Sequence, residues 1–266
     1  MGVINLTPDS FSGDGILKKN KQETLSSAVS FAKKLIKDGA DILDIGGEST
    51  RPGSKPVAAS DEINRIIPVI KKLASQTKTP ISADTYKPLV ARHALDAGAA
   101  IINNIMGSRP NKKLLKAVQQ YKASIVLMHI RGTPRTMQNN IRYRNLINEI
   151  IEELRKSIEI CLEIGIKSDK IIIDPGIGFA KTAEQNLEIL NRLTEFRVLK
   201  RPVLVGTSRK SFIGKVLDKD ARNRLAGTTA TVSAAILRGA HIVRIHDVKH
   251  IKEAVRMTDA ILNQAL

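Results

Sequence analysis

The chain has 266 residues, 42% of them hydrophobic, which is enough for a sizeable core and suits one α/β barrel. Its balance of 43 Lys and Arg against 26 Asp and Glu (+17) points to an anionic partner: nucleic acid, an anionic membrane or a small substrate. Aromatics at 3% with no Trp argue against base stacking, no apolar run reaches membrane-spanning length, and a single cysteine excludes an internal disulfide, so a reducing cytoplasm is expected.

Eight short apolar runs follow in chain order: 1–5, 41–45, 80–84, 99–105, 124–129, 170–174, 202–206 and 240–246. Amphipathic patterns at helical spacing separate them, over 24–37, 61–75, 87–97, 111–121, 145–164, 183–196, 225–237 and 249–262. The clearest is 145–164, where Leu146, Ile147, Ile150, Ile151, Leu154, Ile158, Cys161 and Leu162 follow i, i+3, i+4 spacing. Cys161 is therefore read as a core residue. Gly39, Gly98 and Gly239 each precede an Ala that opens the next run, as helix C-caps do. Eight strands each followed by a helix predict a single (β/α)8 barrel, and no linker divides 1–266 into more than one domain. The first run begins at Met1, so a segment before strand one is expected to be missing and the bottom of the barrel open.

Barrel enzymes carry their chemistry where the strands end. All eight runs here end in polar residues. The first ends at Asn5, before a turn-rich loop with Thr7, Asp9, Ser10 and Asp14. The second leads into Gly46–Ser54, with Glu48, Thr50, Arg51 and Pro52. Asp84 ends the third, Asn103 and Asn104 the fourth, His129 and Arg131 the fifth. The sixth is Ile171-Ile172-Ile173 followed by Asp174, Pro175 and Gly176. After the seventh comes Ser208-Arg209-Lys210-Ser211, and the eighth carries Arg244, His246 and Asp247. Each has an ordinary structural reading as well. Asp174 suits a turn before Pro-Gly, Asp84 a helix cap, and Asp44 and Glu48 ties to Arg51. His93, His241 and His250 lie away from strand ends and are read as structural.

As chemistry, Asp84, Asp174 and Asn103 suit a flat heterocycle with several N–H donors. Lys210, Arg244 and His246 suit a phosphate or pyrophosphate. Asn5, beside such an anion, could hold Mg2+, which takes few protein ligands and keeps waters. No zinc cluster or Ser-His-Asp set is legible.

Seven blocks in order carry a resemblance: GVINLTPDSFS (2–12), GGESTRPGS (46–54), DTYKP (84–88), MHIRGTPRTMQ (128–138), DPGIGFAK (174–181), GTSRKSFIG (206–214) and VRIHDV (243–248). On these the chain resembles the dihydropteroate synthases of the pterin-binding family over almost its whole length. The resemblance implies condensation of 6-hydroxymethyl-7,8-dihydropterin pyrophosphate with p-aminobenzoate, by a dissociative substitution at the pterin methylene, in folate biosynthesis. It implies pterin binding by Asp84, Asn103, Asp174 and Lys210, with Met128 lining that pocket. Asn5, Arg244 and His246 would hold pyrophosphate and its Mg2+. Thr50, Pro52, Phe179, Lys210 and Ser211 would border the p-aminobenzoate site, under the loops 7–15 and 49–57. A homodimer through outer helices is also implied, with no nucleic-acid or membrane partner. Two local departures stand out: Gly13-Asp14 reverses the family's usual order, and Asn104 replaces its usual Asp. A pterin-binding methyltransferase is the rival enzyme; a non-catalytic barrel or basic RNA partner is the rival from another class.

Overall fold

Apolar runs of four or five residues, rich in Ile, Leu and Val, form parallel strands buried on both faces. The structure, a computed structural model, describes residues 1–7 and 20–264. The strands are β1 (Gly2–Asn5), β2 (Leu43–Gly46), β3 (Ile81–Asp84), β4 (Ile101–Asn104), β5 (Ser124–Met128), β6 (Ile171–Asp174), β7 (Leu204–Val205) and β8 (Ile242–Val243). Between and after them lie α1 (Lys21–Lys37), α2 (Ala59–Ala74), α3 (Pro88–Asp96), α4 (Lys112–Gln120), α5 (Leu146–Glu163), α6 (Ala183–Asn191), α7 (Ser211–Leu217), α8 (Leu225–Leu237) and α9 (Val248–Asn263). Asn20, Asn111, Asn145 and Thr182 cap α1, α4, α5 and α6 through their side chains, so each helix begins at a residue able to satisfy its first amides.

β1 to β6 pair in sequence order as one parallel sheet, and β7 pairs with β8. Single parallel bridges join the two groups, Ile173 to Val203 and Gly2 to Ile245. The order is that of the (β/α)8 barrel, with two of its seams held by one bridge each.

Alternation along the strands sorts the interior into levels. Met1, Ile101, Val126, Ile172 and Leu204 pack together inside the ring, with Ile42 and Ile242 against them. Two residues further along the same strands stand Asp44, Asn103, Met128, Asp174 and Arg244. The lower interior is thus filled by apolar side chains. The larger core lies between strands and helices and includes Ile4, Ile45, Ile70, Leu115, Ile150 and Phe196. Cys161 belongs to it and is fully buried.

Three elements differ from their patterns. The segment after β7, which reads as a loop, holds α7, seated by buried Phe212 and Ile213. The helix expected over 183–196 stops at Asn191 and continues as 3-10 turns over Leu193–Leu199. β7 and β8 are only two residues long.

Candidate active site

A cavity of about 550 Å3 opens at the carboxyl ends of the strands. Of the residues expected from sequence, Asn5, Thr50, Pro52, Asp84, Phe179, Lys210, Ser211, Arg244 and His246 line it. Asn103, Met128 and Asp174 lie just beneath, at most 6% exposed. Asp9, Ser10, Gly13 and Asp14 fall outside the described residues.

At the floor, Arg244 reaches across the barrel. Its Nε donates to Asp44 Oδ2 at 2.6 Å and its Nη2 to Asp84 Oδ2 at 2.8 Å. Asn103 Nδ2 also donates to Asp44 Oδ2, at 3.2 Å, leaving Asp44 Oδ1 buried without a partner among the described residues. Burial works against the Arg244 charge, but Asp44 and Asp84 raise its pKa further. Asp84 is pushed up by burial and by Asp44, against the pull of Arg244. The expected ties of Asp44 and Glu48 to Arg51 are replaced: Asp44 faces inward and meets Arg244 instead. Nor is Asp84 a helix cap, since α3 starts from Lys87 with no side-chain cap.

Asp174 combines both of its expected readings. Its Oδ1 accepts the amide of Gly176 at 2.7 Å, making the turn. Gly176 has φ +73°, and a Cβ there would stand 2.0 Å from the carbonyl oxygen of His129, so only glycine fits. Burial raises the Asp174 pKa to about 6, opposed by the Gly176 amide and by Lys210. Met128, paired with Asp174 in register, packs with Ile105, Ile130, Met137 and Phe179 as an apolar wall.

The cationic side is built from the β7 and β8 ends. The Lys210 ammonium lies 4.1 Å from the centre of the Phe179 ring, and burial with Arg244 nearby lowers its pKa to about 8. His246 Nδ1 lies 3.0 Å from Ser208 Oγ, which also accepts the His246 amide. Burial, Arg244 and Arg209 lower the His246 pKa to about 3, so it is neutral; where Ser208 donates to Nδ1, the ring carries its proton on Nε2. Arg209 is held to Asp247 at 2.5 and 2.9 Å.

The segment 49–57 is fixed at its base. Glu48 accepts from Tyr86 (2.8 Å) and from the Val57 amide (2.9 Å), and Lys87 bridges Glu48 to buried Glu62. Sequence reading missed Asp44 as the partner of Arg244, and it missed Ser208, Glu62 and Lys87. A carboxylate inside an apolar strand was the available signal for Asp44. Asn104 accepts the Met106 amide at 3.0 Å and shapes a turn. Arg135 is exposed. His241 accepts the Val203 amide, a structural role. A second cavity, about 470 Å3, lies at the opposite rim among Arg197, Lys200, Arg201 and His241, and shares none of these residues.

A pocket of carboxylates below and cations above, on the carboxyl ends of parallel barrel strands, defines a barrel enzyme acting on a small anionic substrate. Residues 1–246 match the family of pterin binding enzymes. The chain is 46% identical over 262 residues to a dihydropteroate synthase of Synechocystis sp., covering 98% of this chain and 89% of that protein. A Clostridium difficile dihydropteroate synthase structure determined in the presence of pteroic acid superposes with a TM-score of 0.89 at 44% identity, over 98% of this chain and 95% of that one. The Xanthomonas albilineans enzyme with 4-aminobenzoic acid gives 0.89 at 38% identity, over 100% and 92%. The chain belongs to the dihydropteroate synthases of the pterin-binding enzyme family.

Proposed function

We propose that this chain joins 6-hydroxymethyl-7,8-dihydropterin pyrophosphate to p-aminobenzoate, releasing pyrophosphate. The observation that carries the reading is the barrel floor. Asp84, Asn103 and Asp174 each have one polar atom committed to the protein, to Arg244, Asp44 and Gly176 respectively. Asp84 and Asp174 each keep a second carboxylate oxygen, and Asn103 its amide oxygen, with no hydrogen bond among the described residues, so three acceptors remain for the N–H edge of a pterin. The relatives with pteroic acid and 4-aminobenzoic acid accord with both halves of the product.

In this reading the C–O bond at the pterin methylene breaks first, and the electron-rich ring stabilises the cation. Arg244, Lys210 and the Nε2–H of His246 stabilise charge on the departing pyrophosphate. The amine of p-aminobenzoate, bordered by Thr50, Pro52, Phe179 and Ser211, then attacks the methylene and loses its proton to solvent or pyrophosphate. An arylamine is a sufficient nucleophile without a strong general base.

For Mg2+, the donor set fits. The Asn5 amide lines the pocket without a hydrogen bond to any described residue, and among the described residues no group of three His, Cys, Asp or Glu could hold a metal alone. Asn5 would supply one ligand, phosphate oxygens and water the rest, and the ion would offset pyrophosphate charge.

The expected assembly is a homodimer. α8 carries no charged side chain, and with α9 it leaves Leu237, Met257 and Ile261 exposed. No helix among the described residues is long and apolar enough to cross a membrane, and the lone Cys161 is buried, in keeping with a cytoplasmic enzyme. The test is pyrophosphate release dependent on pterin pyrophosphate, p-aminobenzoate and Mg2+ together. Pyrophosphate release that yields no dihydropteroate when p-aminobenzoate is present, or no release at all, would overturn the reading.

A further inference from the structure

Behind the pocket lies a polar cluster that the chemistry above leaves unused. Lys181, 3% exposed, ends the turn that begins at Asp174. Its ammonium donates to the Phe179 carbonyl at 2.9 Å and lies 3.0 Å from Nδ1 of fully buried His129. A charged Lys181 can make that second bond only if Nδ1 is an acceptor. The imidazole proton then sits on Nε2, 3.1 Å from Glu153 Oε2. Arg131 holds Glu153 at 2.5 and 2.9 Å and Glu149 at 2.8 Å. Its guanidinium stacks 4.1 Å over the Tyr143 ring, and the Tyr143 hydroxyl donates to the Ala180 carbonyl at 3.1 Å. The path starts at Lys181 and returns to the same turn one residue earlier.

Apolar residues could fill this space at less cost, because buried ion pairs seldom repay their desolvation. The turn they secure carries Asp174 at one end and Phe179, the ring under Lys210, near the other. We propose that Lys181 is a positioning residue for pterin recognition: seated on His129, it fixes the turn between Asp174 and Phe179 and places a positive charge behind Asp174. This rests on reading the pocket as a pterin site.

The groups facing this pair come from four elements. His129 and Arg131 come from the end of β5, Glu153 from α5, Lys210 from the start of α7 and Arg244 from the end of β8. Burial lowers the Lys181 pKa to about 7, opposed by Asp174 and Glu153; Lys181 in turn lowers that of Asp174. As pH falls towards 6, Lys181 becomes fully charged while Asp174 approaches protonation, which would remove an acceptor for the pterin. The cost of losing the Lys181 charge therefore grows as pH falls.

The experiment is calorimetric binding of 6-hydroxymethyl-7,8-dihydropterin pyrophosphate to wild type, Lys181→Met, Lys181→Gln and Lys181→Arg, from about pH 8 to about pH 5.5, with thermal melts alongside. The neutral variants are expected to bind roughly ten-fold more weakly at the upper pH, from the lost anchoring bonds. Their deficit should widen by about another ten-fold at the lower pH. Lys181→Arg keeps the charge, and its ratio to wild type should stay level with pH. Asp84 and His246 titrate in every variant and cancel in the ratios. If Lys181→Met does not fold, the Gln and Arg variants carry the comparison. Neutral variants that bind like wild type, or with a deficit constant in pH, would overturn the proposal. A wild type that does not bind the pterin would instead overturn the reading of the pocket.

Discussion

Asp174 shows how one carboxylate can serve a turn and a ligand at once. One oxygen is spent on the Gly176 amide and the other remains open. Asp174→Ala should therefore lose at least a hundred-fold in pterin affinity while the fold survives, because a site built to accept an N–H discriminates strongly once the acceptor is gone. Calorimetry checks the affinity, and a thermal melt checks the fold. This residue was legible in the sequence: a charge directly after three isoleucines is costly unless it is used. Asp44 was not legible in the same way. Its place in the strand was clear, but its partner Arg244 lies 200 residues further on, and only barrel closure brings them within 2.6 Å. Lys181 and His129 were visible as letters of two motifs, yet the bond between them spans 52 positions and follows no local pattern.

At the scale of elements, the β2–α2 connection shows how a loop is given a fixed base. Lys87, just before α3, bridges Glu48 after β2 and Glu62 in α2. Lys87→Met leaves these two carboxylates facing each other and frees the base of 49–57. The expected result is a rise of about ten-fold in KM for p-aminobenzoate, with pterin affinity kept within about two-fold, measured by steady-state kinetics and calorimetry. Most elements were readable from periodicity: 225–237 is α8 to the residue, and the other long helices differ by a few positions at their ends. The short α7 was hidden because its seven residues span barely two turns, too few to display a face.

Across the whole molecule, the buried histidines set how the fold responds to acid. Burial and Lys181 lower the His129 pKa to about 4, and that of His246 lies near 3. In the unfolded chain both would bind protons near pH 6.5. Between that pH and their folded values the unfolded state holds more protons, so stability present above pH 6.5 is lost as pH falls. Asp84, raised to about 7, and Asp174, raised to about 6, act in the opposite sense down to their ordinary values and offset most of the loss. Taking away the His129 contribution should therefore show directly: His129→Asn should raise the thermal midpoint at pH 4.5 relative to that at pH 6.5 when compared with wild type, and a variant with the pH dependence of wild type would refute the assignment. The circular strand order was legible because eight runs alternate with eight helical patterns, whereas the unequal strength of its seams was not. β7 and β8 share two register partners and meet the rest of the ring through one bridge on each side, while the neighbouring pairs from β1 to β6 share three or four. The Arg244 side chain ties this ribbon to β2 and β3 across the barrel interior, acting as a crossbar that the backbone lacks. Removing it by Arg244→Ala should let the ribbon breathe: amide hydrogens of β7 and β8 would exchange with solvent many-fold faster, while those of β3 to β5 keep their protection.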